Sequence, residues 1–251
     1  MVLALVILGF IVLLRSPGFE SLAIMKEFSS RQDRFYLELL RSLNLTLMPL
    51  IAAALIGCPL GLAAYRSPRF GKAALSFAAT AQTIPSLALF GILIAPLAYL
   101  SRSFPFLREL GIKGIGSAPA FIALFLYALL PIVRNTYLGF KENSLAVLES
   151  GRGMGMGAWE LFQGVELPLA APLAMRGIRT AAVQTAGTSA VAALIGAGGL
   201  GSFIFQGLGQ AASDLVLLGV LPLLALALLL DRVFAIFERL ATPRILRGNS
   251  Q

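Results

Sequence analysis

The 251-residue chain contains no histidine, one cysteine, and only 13% charged residues. Each shortage excludes something. Without histidine, the commonest general base and metal ligand is gone. Cys58 stands alone, so no intramolecular disulfide can form, and its place between Gly57 and Pro59 in an apolar run reads as packing. Carboxylates are scarce in the apolar segments, which leaves little material for a metal centre or a paired-carboxylate active site. No metal and no cofactor is expected.

What the chain has in quantity is apolar residues, 58% of the whole, with a mean hydropathy of +0.86. A soluble domain averages about a quarter charged residues, so this composition describes an integral membrane protein. The net charge of +8 is spread between the apolar runs and does not gather on one face. It reads as a topology signal facing lipid and cytoplasm, and nucleic acid is not an expected partner.

A helix crossing the hydrocarbon needs roughly 20 mostly apolar residues. Five runs qualify: Leu43 to Tyr65, Ala73 to Leu100, Gly114 to Val133, Pro172 to Ile195, and Leu215 to Leu230 with a continuation toward Phe237. A sixth, Val2 to Leu14, is shorter and ends at Arg15. No Lys or Arg precedes it and Ser16-Pro17 is a poor cleavage context, so a first span is preferred to a secretory signal. With six crossings and both termini in the cytoplasm, Arg66, Arg69, Lys72, Arg134, Lys141 and Arg152 fall inside, and the bias of basic residues favours this orientation.

This reading places residues 134–171 in the cytoplasm. Within them Ala158, Leu161, Phe162 and Val165 recur at helical spacing with Trp159 beside the stripe, and Pro168 is expected to end the helix. Upstream, Gly151, Gly153, Gly155 and Gly157 allow a sharp turn. An interfacial helix lying on anionic lipid would prefer lysine on its polar side. This one offers Glu160 and Glu166, which favours a protein partner.

The pattern Glu149-Ser150-Gly151, three residues, Gly155, nine residues, then Val165-Glu166-Leu167-Pro168 resembles the E-A-A, x3, G, x9, I-x-L-P loop of binding-protein-dependent ATP-binding cassette (ABC) importers. Ser150 and Gly151 replace two alanines, and Val165 replaces isoleucine. The stretches "QTIPSLALFGIL" (82–93), "ALFLYALLPIVRNTYLGF" (123–140) and "GIRTAAVQTAGTSAVAALIGAGGLGSFIFQGL" (177–208) are similar to the permease subunits of osmoprotectant importers for glycine betaine, carnitine or choline, as is the "DRVFAIFERL" tail (231–240). The likeness runs from about residue 43 to 245, and methionine, phosphonate or sulfonate importers share the loop pattern.

The resemblance implies an all-α membrane protein with five to six transmembrane helices and a cytoplasmic coupling helix, of the type I ABC importer kind. It divides the chain into 1–42 (first span and outer segment), 43–245 (permease domain, coupling loop 141–171) and 246–251 (tail). It also implies a bacterial plasma-membrane location and no enzymatic activity of the chain's own, ATP hydrolysis being left to separate ATPase subunits. The other implied partners are a solute-binding protein, a second permease subunit and membrane lipid. In such a loop Glu149, Gly155, Ala158, Trp159, Leu161, Phe162, Val165, Leu167 and Pro168 would contact or shape the contact with the ATPase.

On the fifth span, Gly177, Ala181, Thr185, Ser189 and Ala193 recur every four residues and form a small-residue stripe that admits a close helix neighbour. Thr180, Gln184 and Thr188 form a polar stripe beside it. Either they bond to packed neighbours, or they line a water-accessible path together with Gln82 and Pro85 of the third span. "GAGGLG" (196–201) fits G-x-G-x-x-G but lacks a βαβ setting, so it reads as an outer turn and not a dinucleotide site. An intramembrane enzyme would need reactive groups at membrane depth, whereas Arg176, Arg179, Asp214 and Asp231 all fall near span ends, where they can snorkel.

Overall fold

The computed structural model describes residues 23–109 and 111–242; Val2 to Leu14 and the tail 246–251 lie outside the described residues. The described chain runs α1 (Ala23–Ser30), α2 (Gln32–Arg66), α3 (Pro68–Thr83), α4 (Ser86–Ser103), α5 (Pro105–Glu109), α6 (Ser117–Lys141), α7 (Leu145–Gly153) and α8 (Ala158–Leu161). A π-turn (Phe162–Glu166) leads into α9 (Leu167–Ser189), a 3-10 turn (Val191–Ile195), α10 (Gly201–Gln210) and α11 (Ser213–Ala241). No strand occurs among the described residues. Four helices, α2, α4, α6 and α11, are long and apolar enough to cross a membrane. The protein is all-α and membrane-embedded.

Three boundaries differ from the sequence expectation. The first described span begins at Gln32 and not Leu43. The expected run Ala73 to Leu100 is broken between Thr83 and Ser86. Pro85 explains the break, because a residue before proline is pushed out of helical backbone geometry, here Ile84. The helix α9 begins five residues ahead of Pro172 and stops at Ser189. It has the length of a span, but Arg176, Arg179, Thr180, Gln184, Thr185 and Thr188 keep it out of the apolar class.

The chain divides into two compact units. One comprises Leu50–Thr83, Phe125–Ala182 and the chain from Leu230 onward. Its helices meet at glycines. Gly57 and Gly61, one turn apart on α2, lie against α6: a Cβ at Gly57 would stand 2.9 Å from Ile132 Cγ2, and one at Gly61 would stand 2.8 Å from the Val133 carbonyl oxygen. The small-xxx-small spacing lets two backbones approach where the surroundings are apolar. The helix α9 meets α6 in the same way, Gly139 against Ala170 and Gly177 against the Pro131 carbonyl. Pro131 has no N–H, so the Tyr127 carbonyl four residues back lacks its helical donor. Gln82 Nε2 of α3 donates to that oxygen at 2.8 Å.

The same unit holds an ion network between α9 and α11. Arg179 grips Asp231 with both arms of its guanidinium, at 2.7 and 2.8 Å, and reaches Glu238 at 3.2 Å; Arg176 also bonds Glu238, at 3.0 Å. The forked geometry fits a carboxylate in a way lysine does not. These charges, expected to snorkel, pair with one another instead.

The other unit comprises the chain up to Pro49, Ile84–Leu124 and Val183–Leu229. Its core is Phe28, Phe35, Leu200, Phe203, Leu215 and Leu218. The "GAGGLG" turn is held here by α2. Gly198 and Gly199 adopt φ of +78° and +87°, which aims the backbone amides of Gly199 and Leu200 at one side as an anion-binding concavity. The occupant is the chain itself: Gly199 N–H donates to Glu38 Oε2 at 2.6 Å and Leu200 N–H to Ser42 Oγ at 2.7 Å. The two amides a phosphate would need are thus already engaged, one by a carboxylate and one by a hydroxyl.

The expected small-residue stripe is present as far as Ser189: Gly177, Ala181, Thr185 and Ser189 are all buried. Beyond it the tighter 3-10 turn advances the phase, so that Ala192 is buried and Ala193 only half-buried.

Overpacking a close helix crossing costs about 1–3 kcal/mol. Gly61→Val, which drives a side chain into Thr136 and the Val133 carbonyl, is therefore expected to lower the unfolding temperature of the detergent-purified protein by several degrees, whereas Gly91→Val, with nothing within 4 Å of its added Cβ, leaves it within a degree or two. Equal melting of the two variants would contradict the packing described.

Candidate functional site

The segment between α6 and α9 is built from local rules. The helix α7 ends in a Schellman motif: Met156 N–H bonds the Gly151 carbonyl at 3.2 Å and Gly155 N–H the Arg152 carbonyl at 3.0 Å. Such an ending requires left-handed backbone at the residue just past the helix. Gly155 supplies it at φ +84°. The Met156 side chain folds back over Gly151, where an added Cβ would stand 3.2 Å from its Sδ and 2.6 Å from Leu161 Cδ1. Gly151 is thus required for closeness, and Gly155 for backbone sign.

Four residues of α8 follow, begun by Gly157, whose N–H donates to Glu160 Oε2 at 2.9 Å. Here the structure corrects the sequence reading of Pro168. It does not end a helix: helical backbone runs without a break from Ala158 through the π-turn into α9, of which Pro168 is the second residue. Its ring cannot share an α-turn with the Gly164 carbonyl four residues earlier, and the backbone widens into the π-turn, closed by Leu167 N–H bonding the Phe162 carbonyl. Asn143 Nδ2 fastens the turn from the end of α6 by donating to the Glu166 carbonyl at 3.1 Å.

The segment is bound to the helices by a column of rings. Tyr65, at the end of α2, stacks on Phe140, at the end of α6, with centroids 5.8 Å apart; Phe140 stacks on Phe162 at 6.1 Å and 10° between planes; Phe162 stacks on Trp159 at 5.7 Å. The Arg66 guanidinium lies over the Phe162 ring at 5.2 Å. Each aromatic pair contributes about 0.5–1.5 kcal/mol beyond its buried area. Phe140 is buried and Phe162 half-buried, while Trp159 is 66% exposed. Leu161 is the inward anchor at 4% exposure. Met154 and Leu145 are exposed at 77% and 75%, so the segment presents apolar surface, the usual mark of an interaction site.

The structure thus brings Trp159, Leu161, Phe162, Val165, Leu167 and Pro168 together, with Ala158 exposed at the start of α8. Glu149 is exposed on α7, a helix the sequence pattern did not predict. Tyr65, Arg66, Phe140 and Asn143 were missed. For the first three the signal was present: an aromatic followed by a basic residue, Tyr65-Arg66 and Phe140-Lys141, closes each of two apolar runs; Asn143 had none.

On α9 the polar stripe is less buried than the small-residue stripe beside it: Thr180 is exposed, and Gln184 and Thr188 are half-buried. The hydroxyls of Thr180 and Thr188 bond the carbonyls of Arg176 and Gln184 on their own helix. Thr185 Oγ1 is buried and has no partner among the described residues. Gln82 does not join that stripe; its amide is engaged at Tyr127, and Pro85 is exposed at the break before α4.

Residues 53–243 match the family model of the binding-protein-dependent transport system inner membrane component. The chain belongs to this family. It is a membrane permease subunit of a transport system and not an enzyme. It is 39% identical over 206 residues, 82% of this chain and 88% of the relative, to the glycine betaine/carnitine/choline transport system permease protein OpuCB of Bacillus subtilis (strain 168). The carnitine transport permease protein OpuCB of Listeria monocytogenes is 37% identical over 225 residues, covering 90% and 96%. The osmoprotectant import permease protein OsmW of Salmonella typhimurium (strain LT2) is 39% identical over 195 residues, covering 78% and 86%. In fold, this permease is similar to a chain of the MetNI methionine ABC transporter in an inward-facing conformation, with a TM-score of 0.71 at 21% identity over 85% of this chain and 99% of that one. At that identity the likeness is one of fold alone.

Gly151→Val would push Leu161 off its seat without touching the spans. Limited proteolysis of the purified permease is expected to cleave at Arg152 several-fold faster in this variant, with its helix content unchanged. Unaltered protection would show that Gly151 and Leu161 do not pin the segment.

Proposed function

We propose that this chain forms half of the translocation path of an ATP-driven importer for osmoprotectants of the glycine betaine, carnitine and choline class, and that residues 141–171 couple it to separate ATPase subunits. The substrate class rests on the transport activities for which these relatives are named. The coupling role rests chiefly on one observation: an exposed tryptophan caps a ring column that ends on α2 and α6. Motion imposed on Trp159 has a stiff route to two helices, and alternating access needs only rigid displacement delivered at such a contact.

In this reading the 141–171 segment and both termini face the cytoplasm, and the Gly196–Gly201 turn faces outward, toward the solute-binding protein. ATP closes the ATPase pair, the segment follows, and the bundle exchanges inward for outward access. A second permease subunit supplies the other half of the path. Thr180, Gln184 and Thr188, less buried than the small-residue stripe beside them, line the path, with Gln82 and Pro85 at its edge. Glu149 and Gly155 bear on the ATPase surface together with Ala158, Trp159 and Phe162.

An added Cβ at Gly155 meets nothing within 4 Å, so Gly155→Trp strains the turn by about 1–2 kcal/mol and projects its ring outward. Normal amounts in the membrane are expected, with solute-stimulated ATP hydrolysis by the assembled complex abolished; stimulation at the native level would sink the coupling role. With Gln184→Cys in a Cys58→Ser background, a small hydrophilic maleimide should label the complex in one nucleotide state and not the other. Inertness in both states would mean that α9 turns this face to packed protein.

A further inference from the structure

A cavity of about 1,090 Å³ belongs to neither the loop nor the polar stripe of α9. It lies in the unit containing the glycine turn, at the upper end of ordinary ligand volumes. Its lining is mixed: Arg41, Asn44, Lys113 and Ser117 share it with Met48, Leu97, Leu100, Phe121 and other apolar residues. Met48, Leu100 and Phe121 are 57%, 41% and 37% exposed, on three of the helices that contribute apolar spans or their ends.

The spacing repeats from helix to helix. On α2, Arg41 precedes Met48 by about 10 Å at the helical rise. Lys113 stands four residues ahead of α6, and Phe121 is one turn inside it. On α4, Leu97 and Leu100 are followed by Arg102, which with Arg108 and Lys113 lines an adjoining cleft of about 690 Å³. Each of the three segments brings a basic and an apolar side chain to the same pair of clefts. Against these four cations the two clefts present a single lining carboxylate, Glu109. Arg41 spends one N–H on Glu38 and has further donors to offer; Lys113 has no ion pair among the described residues.

We infer that this groove binds an anionic phospholipid, its phosphate held by Arg41 and Lys113 and an acyl chain laid along Met48, Leu97, Leu100 and Phe121. Charge complementarity selects the head, and the apolar wall on membrane-crossing helices selects a tail over a soluble anion or an acidic protein lobe. The site is independent of which solute the complex carries.

The test is native mass spectrometry of the whole detergent-purified complex, titrated with phosphatidylglycerol or phosphatidylcholine. The native complex is expected to retain phosphatidylglycerol preferentially, and Lys113→Gln to weaken that retention about fivefold, the effect of one cation at an anionic headgroup. Arg41→Gln should act likewise; if loss of the Glu38 pair prevents its assembly, Lys113→Gln alone decides. An excess of inorganic phosphate should leave the lipid bound, since the tail contributes. Equal retention of the two lipids, no change in Lys113→Gln, or displacement by phosphate would overturn the assignment. So would competition by the solute-binding protein, which would give the groove to protein docking.

Discussion

The constraint on which the proposed mechanism depends is the stacking of Phe162 between Phe140 and Trp159, with Arg66 over its face. The four residues of α8 continue through the π-turn into α9, and a π-turn is a point at which a helix bends. The ring column on one side and Leu161 seated against Gly151 on the other hold α8 in place. A partner pressing on an unsupported loop would bend it; pressing on Trp159 loads the ends of α2 and α6.

Proline and glycine divide the remaining labour. Each proline leaves a carbonyl without a donor, which at membrane depth must be answered. Gln82 answers for Pro131, reaching across from α3. Near the loop, Pro168 is accommodated by a wider turn that Asn143 ties down. Glycines are spent where backbones touch, at Gly57 and Gly61 on α2 and at Gly139 and Gly177 between α6 and α9. Left-handed turns use Gly155 after α7 and Gly198-Gly199 beneath Glu38. Helix contacts at this distance leave no slack, so the unit built from α6 and the inner parts of α2 and α9 is suited to move as a block.

Much of this was legible in the residues. Hydropathy located α2, α6 and α11, and the period of α9 exposed its buried stripe, because both depend on side-chain pattern along one helix. The loop motif gave the family and the candidate contact residues. What pattern could not give was anything that depends on backbone donors. The rule that proline ends helices marks a stop at Pro168, but it is silent on a helix that passes a proline by widening into a π-turn. Nothing along the chain ties Gln82, a candidate for the path, to the Tyr127 carbonyl it satisfies, because the two lie forty-five positions apart. The ring column was invisible for a similar reason: Tyr65, Phe140 and Phe162 are close only once three helix ends have been brought together. The "GAGGLG" motif could be set aside from context, but its occupant, Glu38, could be named only from the fold.

The most direct measurement is the number of solute molecules transported per ATP hydrolysed by the reconstituted complex carrying Phe162→Leu. Leucine keeps the apolar contact and the seat of the loop but abolishes both stacks and the contact with Arg66. If the ring column carries the motion, the ATPase subunits still co-purify and hydrolyse ATP while the ratio falls about tenfold. A ratio equal to that of the native complex would contradict the account.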